Sequence, residues 1–155
     1  DLSQELPKCS VALVGEEHLA DLGAEDRSKF LDLFEMGLLS PDSPPFEAGR
    51  LVAPTLSWAS LEKLPRVRSL TVNRVLSHAD SIAWVVERYQ PQVVNMEGAA
   101  FLYCCLEAGL PCASLRAVSD FVGPRDKSSW DIPGAVAALN AALEGVLADS
   151  SRAAR

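Results

Sequence analysis

Histidine is scarce in this chain, with 2 copies in 155 residues, and aromatic residues make up only 6%. His18 and His78 lie far apart with no partner acid pattern, so no metal site is expected. The cysteines Cys9, Cys104, Cys105 and Cys112 show no CxxC spacing and have no histidine near them. Cys104 and Cys105 are adjacent inside an apolar stretch, where thiols behave as small core hydrophobes. Basic side chains are also few, 14 against 21 acidic ones, for a formal charge of -7. That sign repels a phosphate backbone and argues against nucleic acid as a partner. The longest uncharged apolar runs, such as residues 99–106, fall well short of the roughly 20 needed to span a bilayer, so no membrane partner is expected. No basic n-region with an apolar stretch behind it reads as a secretory signal. A reduced, cytoplasmic location is the expectation. The chain opens at Asp1 without an initiator Met, in what reads as the lead-in to a strand, and a fragment of a longer chain is expected.

What is present suits one compact domain, read over residues 1–148 with a frayed tail at 149–155. Apolar residues reach 48%, mostly Leu, Val and Ala, the filling of packed helix and sheet layers. Residues 10–14 (SVALV) suit a buried strand, and 16–26, acidic with Gly23, read as a loop. Residues 29–38 put Phe30, Leu33, Phe34 and Leu38 at helical spacing, and the proline-rich stretch 40–54 reads as a long surface loop. Strands are expected at 67–72, 92–96 and 112–118. Helices are expected at 81–89 with Asp80 as N-cap, at 97–108 before Gly109, and from about Asp131 with an apolar stripe of Val136, Leu139, Leu143 and Val146. Strand and helix alternate without repeats, which predicts an α/β layered domain with a largely parallel sheet.

Two junctions place a carboxylate at the carboxyl end of a predicted strand, where open α/β sheets bind ligands. One is Val94-Asn95-Met96-Glu97-Gly98-Ala99-Ala100, whose small residues let the backbone approach closely. The other is Arg116-Ala117-Val118-Ser119-Asp120. Each acid also has a plain reading. Glu97 suits the first turn of a helix through the helix dipole, and Asp120 suits a turn bonded to its own backbone.

VNMEGAAF (94–101) followed by GLPCASLRAVSD (109–120) resembles the C-terminal signature of the purine nucleosidase and nucleoside phosphorylase superfamily. Within it, DLGAED (21–26), LTVN (70–73), MEGAAF (96–101) and the VGPRD…W run (122–130) are similar to futalosine hydrolases. The resemblance implies a three-layer α/β fold and hydrolysis of a purine N-glycosidic bond: futalosine to hypoxanthine and dehypoxanthine futalosine, on a route to menaquinone. It also implies a small purine nucleoside as the partner, no cofactor, and a homodimer or larger homo-oligomer. Asp120 then matches the acid that hydrogen-bonds or protonates the base N7, and Glu97 the acid that grips the ribose hydroxyls. Asn95, Met96 and Ser119 join Glu97 as expected substrate-binding residues: Met96 matches the residue against the sugar face and Ser119 stands beside the acid, while Arg116 braces the loop. A carboxyl at 120 suits a 6-aminopurine better than a 6-oxopurine. An adenine-type nucleosidase therefore stays open, as do a phosphorylase, whose phosphate cradle lies largely in the family's N-terminal part, and a non-catalytic nucleoside-binding fragment that lacks the water-activating acid. The family's N-terminal strands, with the glutamate that positions the attacking water, have no counterpart here. Glu16 and Glu17 do not match that site and read as a solvated loop.

Overall fold

The computed structural model describes residues 6–27, 29–124 and 126–153. Asp1, the last two tail residues and Arg125 of the VGPRD run lie outside them. The main sheet is mixed. At its centre β1 (Val11–Leu19) pairs in parallel with β6 (Arg66–Thr71), and β6 in parallel with β7 (Val93–Asn95). β5 (Arg50–Val52) and β8 (Leu115–Ala117) both pair antiparallel with β1, and β4 (Phe46–Glu47) extends β5. A separate hairpin joins β2 (Gly23–Asp26) to β3 (Lys29–Asp32). The helices are α1 (Ala59–Glu62), α2 (Ala79–Tyr89), α3 (Gly98–Glu107) and α4 (Ile132–Ala153).

Strand period two sorts the core into layers. Leu70 and Val72 join Val85 and Tyr89 of α2, with Ile82 and Val86 packed alongside. A second cluster joins Leu51 and Phe46 to Ala99 and Leu102 of α3. Helices thus cover the sheet through two separate apolar clusters, and Ser69 and Thr71, alternating with Leu70, are left for polar work.

Several expectations need correction. Residues 16–26 are not one loop: 16–19 complete β1, where Glu16 meets Arg50 at 3.2 Å and also pairs with Arg68, and 23–26 form β2. Residues 29–38 form β3 and a turn, not a helix. The Asp32 carboxylate accepts from the backbone N–H of Phe34 and Glu35 at 2.9 and 2.8 Å, which rounds the chain off there. Asp80 is not the N-cap of α2; His78 is, and Asp80 lies in the first turn. The tail from Asp149 to Ala153 is helical, and Asp149 accepts from the Ser60 N–H at 2.8 Å, tying α4 to α1.

The stretch 40–54 holds the β4–β5 hairpin, turned by Ala48 and Gly49 at φ 48° and 76°. Positive φ at both central positions matches the strand twist. A Cβ on Gly49 would also stand 3.2 Å from the Phe34 ring. Gly49→Ala is therefore expected to lower stability by about 1–2 kcal/mol, read as a lower urea midpoint at unchanged m-value.

α4 is long and apolar enough, by length and composition, to cross a membrane. It packs on β8, β1 and α1, and carries Glu144 and Asp149 within its length. Of the predicted stripe, Leu139 and Val146 are half-buried, while Val136 and Leu143 are exposed.

Candidate active site

Two strand ends build the site. β7 ends at Asn95, and the chain turns at once into α3 with Glu97 as N-cap. The Glu97 carboxylate makes no capping bond and is exposed, so the helix end does not occupy it. What holds the turn is Asn95, whose Oδ1 accepts from the N–H of Glu97 at 2.9 Å and from that of Gly98. Gly98 is required here. A Cβ would sit 2.5 Å from Glu17 Oε2 and 2.8 Å from the Asn95 amide atoms.

β8 ends two residues before Ser119, whose hydroxyl donates to Asp120 Oδ1 at 2.6 Å. That fixes one carboxylate oxygen and leaves the other free to meet a ligand. Asn95, Met96, Ser119 and Asp120 line one open trough of about 1270 Å³. Its apolar wall includes Val72, Val75, Leu76, Phe121 and Trp130, a surface suited to a flat heterocycle. Glu97 lies next to Met96 but is not among the lining residues. Trp84 instead packs edge-on against Phe30 and Tyr89. Asp21 accepts from the Asn73 N–H at 2.8 and 3.0 Å, steadying the loop that carries Val75 and Leu76.

Beneath the turn lies a polar cluster that sequence reasoning missed. Glu17 is 1% exposed, and its Oε1 accepts from Thr71 Oγ1 at 2.7 Å and from Asn95 Nδ2 at 2.9 Å. Asn95 Nδ2 also donates to Ser69 Oγ at 2.8 Å. Arg116, expected to brace the loop, reaches Asn95 Oδ1 at 3.4 Å. The reading of Glu16 and Glu17 as solvated is thus overturned for both acids. No sequence signal marked Glu17: strand period two from Ala12 and Val14 points to Glu16, and only the register shift between Val14 and Glu16 turns Glu17 inward. Burial pushes the Glu17 carboxyl above the usual range, against the hydrogen bonds from Thr71, Ser69 and Asn95 and the charge of Arg116. Glu16 titrates low: burial opposes this, but the Arg68 and Arg50 guanidiniums outweigh it.

The raised carboxyl has a measurable consequence. Folded Glu17 holds its proton more tightly than the unfolded chain does, so stability present at low pH is lost as pH climbs from about 4.3 through the folded value. Gln cannot titrate. The Tm advantage of Glu17→Gln over the parent is expected to widen across that window and then level off, and thermal melts at a series of pH values check it.

All four cysteines are free thiols, with Cys112 pushed up to about 11 by burial and by Cys105 beside it. Among the described residues no group of three or more His, Cys, Asp or Glu side chains could hold a metal ion.

A mixed α/β sheet whose strand ends bring a small-residue turn and a serine–aspartate pair to one trough defines a nucleoside phosphorylase-type domain. The phosphorylase superfamily matches residues 55–149, and the chain belongs to that superfamily. It is 37% identical over 135 residues to a futalosine hydrolase of Acidothermus cellulolyticus, covering 81% of this chain and 52% of that protein. Over 141 residues it is 33% identical to a futalosine hydrolase of Streptomyces coelicolor, covering 90% and 57%. The chain thus spans about half the length of these curated relatives. Among solved structures, it resembles a Helicobacter pylori 5'-methylthioadenosine/S-adenosylhomocysteine nucleosidase, with a TM-score of 0.70 at 18% identity over 97% of this chain and 64% of that one. A Helicobacter pylori futalosine hydrolase matches with a TM-score of 0.66 at 19% identity, over 94% and 63%. These likenesses show the fold.

Proposed function

We propose that the protein hydrolyses the N-glycosidic bond of a purine nucleoside, with futalosine as substrate and hypoxanthine and dehypoxanthine futalosine as products. The observation that carries this reading is the trough where the β7 and β8 ends meet, lined by Asn95, Met96, Ser119 and Asp120. Sequence identity to futalosine hydrolases supports the choice of substrate.

Breaking the bond sends its electron pair onto the base and leaves oxocarbenium character on the ribose, which water then attacks. Asp120 acts on the base: oriented by Ser119, its carboxyl delivers a proton to N7 as the bond breaks. Glu97, exposed at the turn, accepts from the ribose hydroxyls as a charged acceptor whose hold strengthens while positive charge develops on the sugar. Met96 lies against the sugar face. Buried Glu17 is shut away from the trough and does not activate the water. The enzyme works in the cytoplasm as a homo-oligomer, without cofactor.

Incubating the purified protein with futalosine, with and without phosphate, and resolving the products by chromatography tests the reading. Free hypoxanthine without phosphate is expected, and release only when phosphate is present would assign a phosphorylase instead. One observation favours a second substrate class: a carboxyl at 120 accepts from the amine of a 6-aminopurine. Adenine release from methylthioadenosine would select that class.

A further inference from the structure

Glu17 is the one charged side chain among the buried described residues, and no step of the proposed reaction uses it. Its surroundings come from every strand that packs on it: Ser69 and Thr71 from β6, Asn95 from β7, and the charge of Arg116 from β8. Oε1 accepts from both Thr71 and Asn95, as an ionised carboxylate oxygen does, or the carbonyl oxygen of a carboxyl whose proton sits on Oε2. Asn95 must therefore turn its NH2 toward Glu17, which leaves Oδ1 facing the other way, onto the N–H groups of Glu97 and Gly98. Thr71 is wired alike. Its hydroxyl proton goes to Glu17, so its oxygen accepts the Ala99 N–H at 2.8 Å. Three successive amides at the start of α3 are thus held by two side chains that both hydrogen-bond the one buried acid, with Ser69 and Arg116 supporting the same orientation of Asn95. Gly98 leaves no room for a side chain between the acid and the turn.

We propose that Glu17 is a positioning residue for the ligand turn: by fixing the orientation of Asn95 and Thr71 it locks the amides of Glu97, Gly98 and Ala99, and so the direction in which the Glu97 carboxylate leaves the helix. The link to catalysis rests on the reading of Glu97 as the ribose ligand; the locking of the turn does not. Asn95 serves as the adapter between a strand and a helix start that are far apart in sequence.

Two variants separate this role from plain core packing. Glu17→Gln keeps an acceptor at the same place, whereas Glu17→Met fills the space and removes it. Amide hydrogen exchange at Glu97, Gly98 and Ala99, followed by NMR on the purified protein, is the first readout. Glu17→Gln should leave these three rates near the parent's. Glu17→Met should speed them about 10-fold, the equivalent of one lost hydrogen bond, with the α2 amides unchanged. The second readout is the ratio of kcat/KM for a purine ribonucleoside over its 2′-deoxy analogue, which does not depend on the fraction folded. That ratio should hold in Glu17→Gln and fall several-fold in Glu17→Met. If the Met variant does not fold, Glu17→Asp, which withdraws the carboxylate by one methylene, should show the same local acceleration at smaller size. Unchanged rates at the three amides, or equal acceleration across the whole protein, would overturn the positioning role. A parent that cleaves neither nucleoside would sink the hydrolase reading while the exchange rates still decide the role of Glu17.

Discussion

Asp120→Ala is expected to lower kcat/KM toward the purine nucleoside by about 10²–10⁴-fold, the usual worth of a placed general acid. The loss should fall mainly on kcat, because protonation of the departing base strengthens only as the bond breaks. Asp120→Asn separates the acid's two tasks. The amide cannot deliver a proton, so kcat falls in this variant as well. It can, however, donate to an oxo group, so the preference among the surviving rates should move toward hypoxanthine-bearing substrates and away from adenine-bearing ones. Specificity constants for the two substrate classes, compared within each variant, decide the matter. An unchanged ratio would mean that Asp120 does not read position six of the base.

The second large effect concerns the sugar. Glu97→Ala should cost about 2–4 kcal/mol of transition-state stabilisation, the loss of a charged contact to two hydroxyls. Glu97 is exposed and makes no capping bond, so the melting temperature should scarcely move. A variant that cleaves at the parent rate would remove Glu97 from the site. Nucleosides lacking the 2′-hydroxyl should lose less on this substitution than ribonucleosides do, because part of the contact is already gone.

Much of this arrangement is written locally. α2 and α3 follow from helical spacing, and β7 and β8 from short apolar runs between turn residues. The two acid-tipped junctions could be found because each lies within seven contiguous residues. What escaped is what depends on distant partners. The second half of β1 looks too acidic for a strand until Arg50 and Arg68 arrive beside Glu16. Residues 29–38 carry a helical rhythm, yet pairing with β2 and the Asp32 turn override it. The β4–β5 hairpin hides in a proline-rich stretch because Ala48, a residue with no taste for positive φ, makes half the turn. Glu17 had no legible role, since its partners come from residues 69, 71 and 95.

The central place of β1 also governs how the molecule comes into being. Val11 stands opposite Ala117, and Leu19 opposite Thr71, so neither flank of the strand has its neighbour until long after the strand itself is made. At ordinary rates of synthesis the ribosome takes about 5–20 s to travel from residue 11 to residue 117. Through that interval the nascent strand presents an unpaired edge to whatever is nearby. Closing loops of this length before any contact rewards them makes assembly slow compared with a helical bundle of equal size. The strand whose Glu17 meets Asn95 is made well before the neighbours that satisfy it.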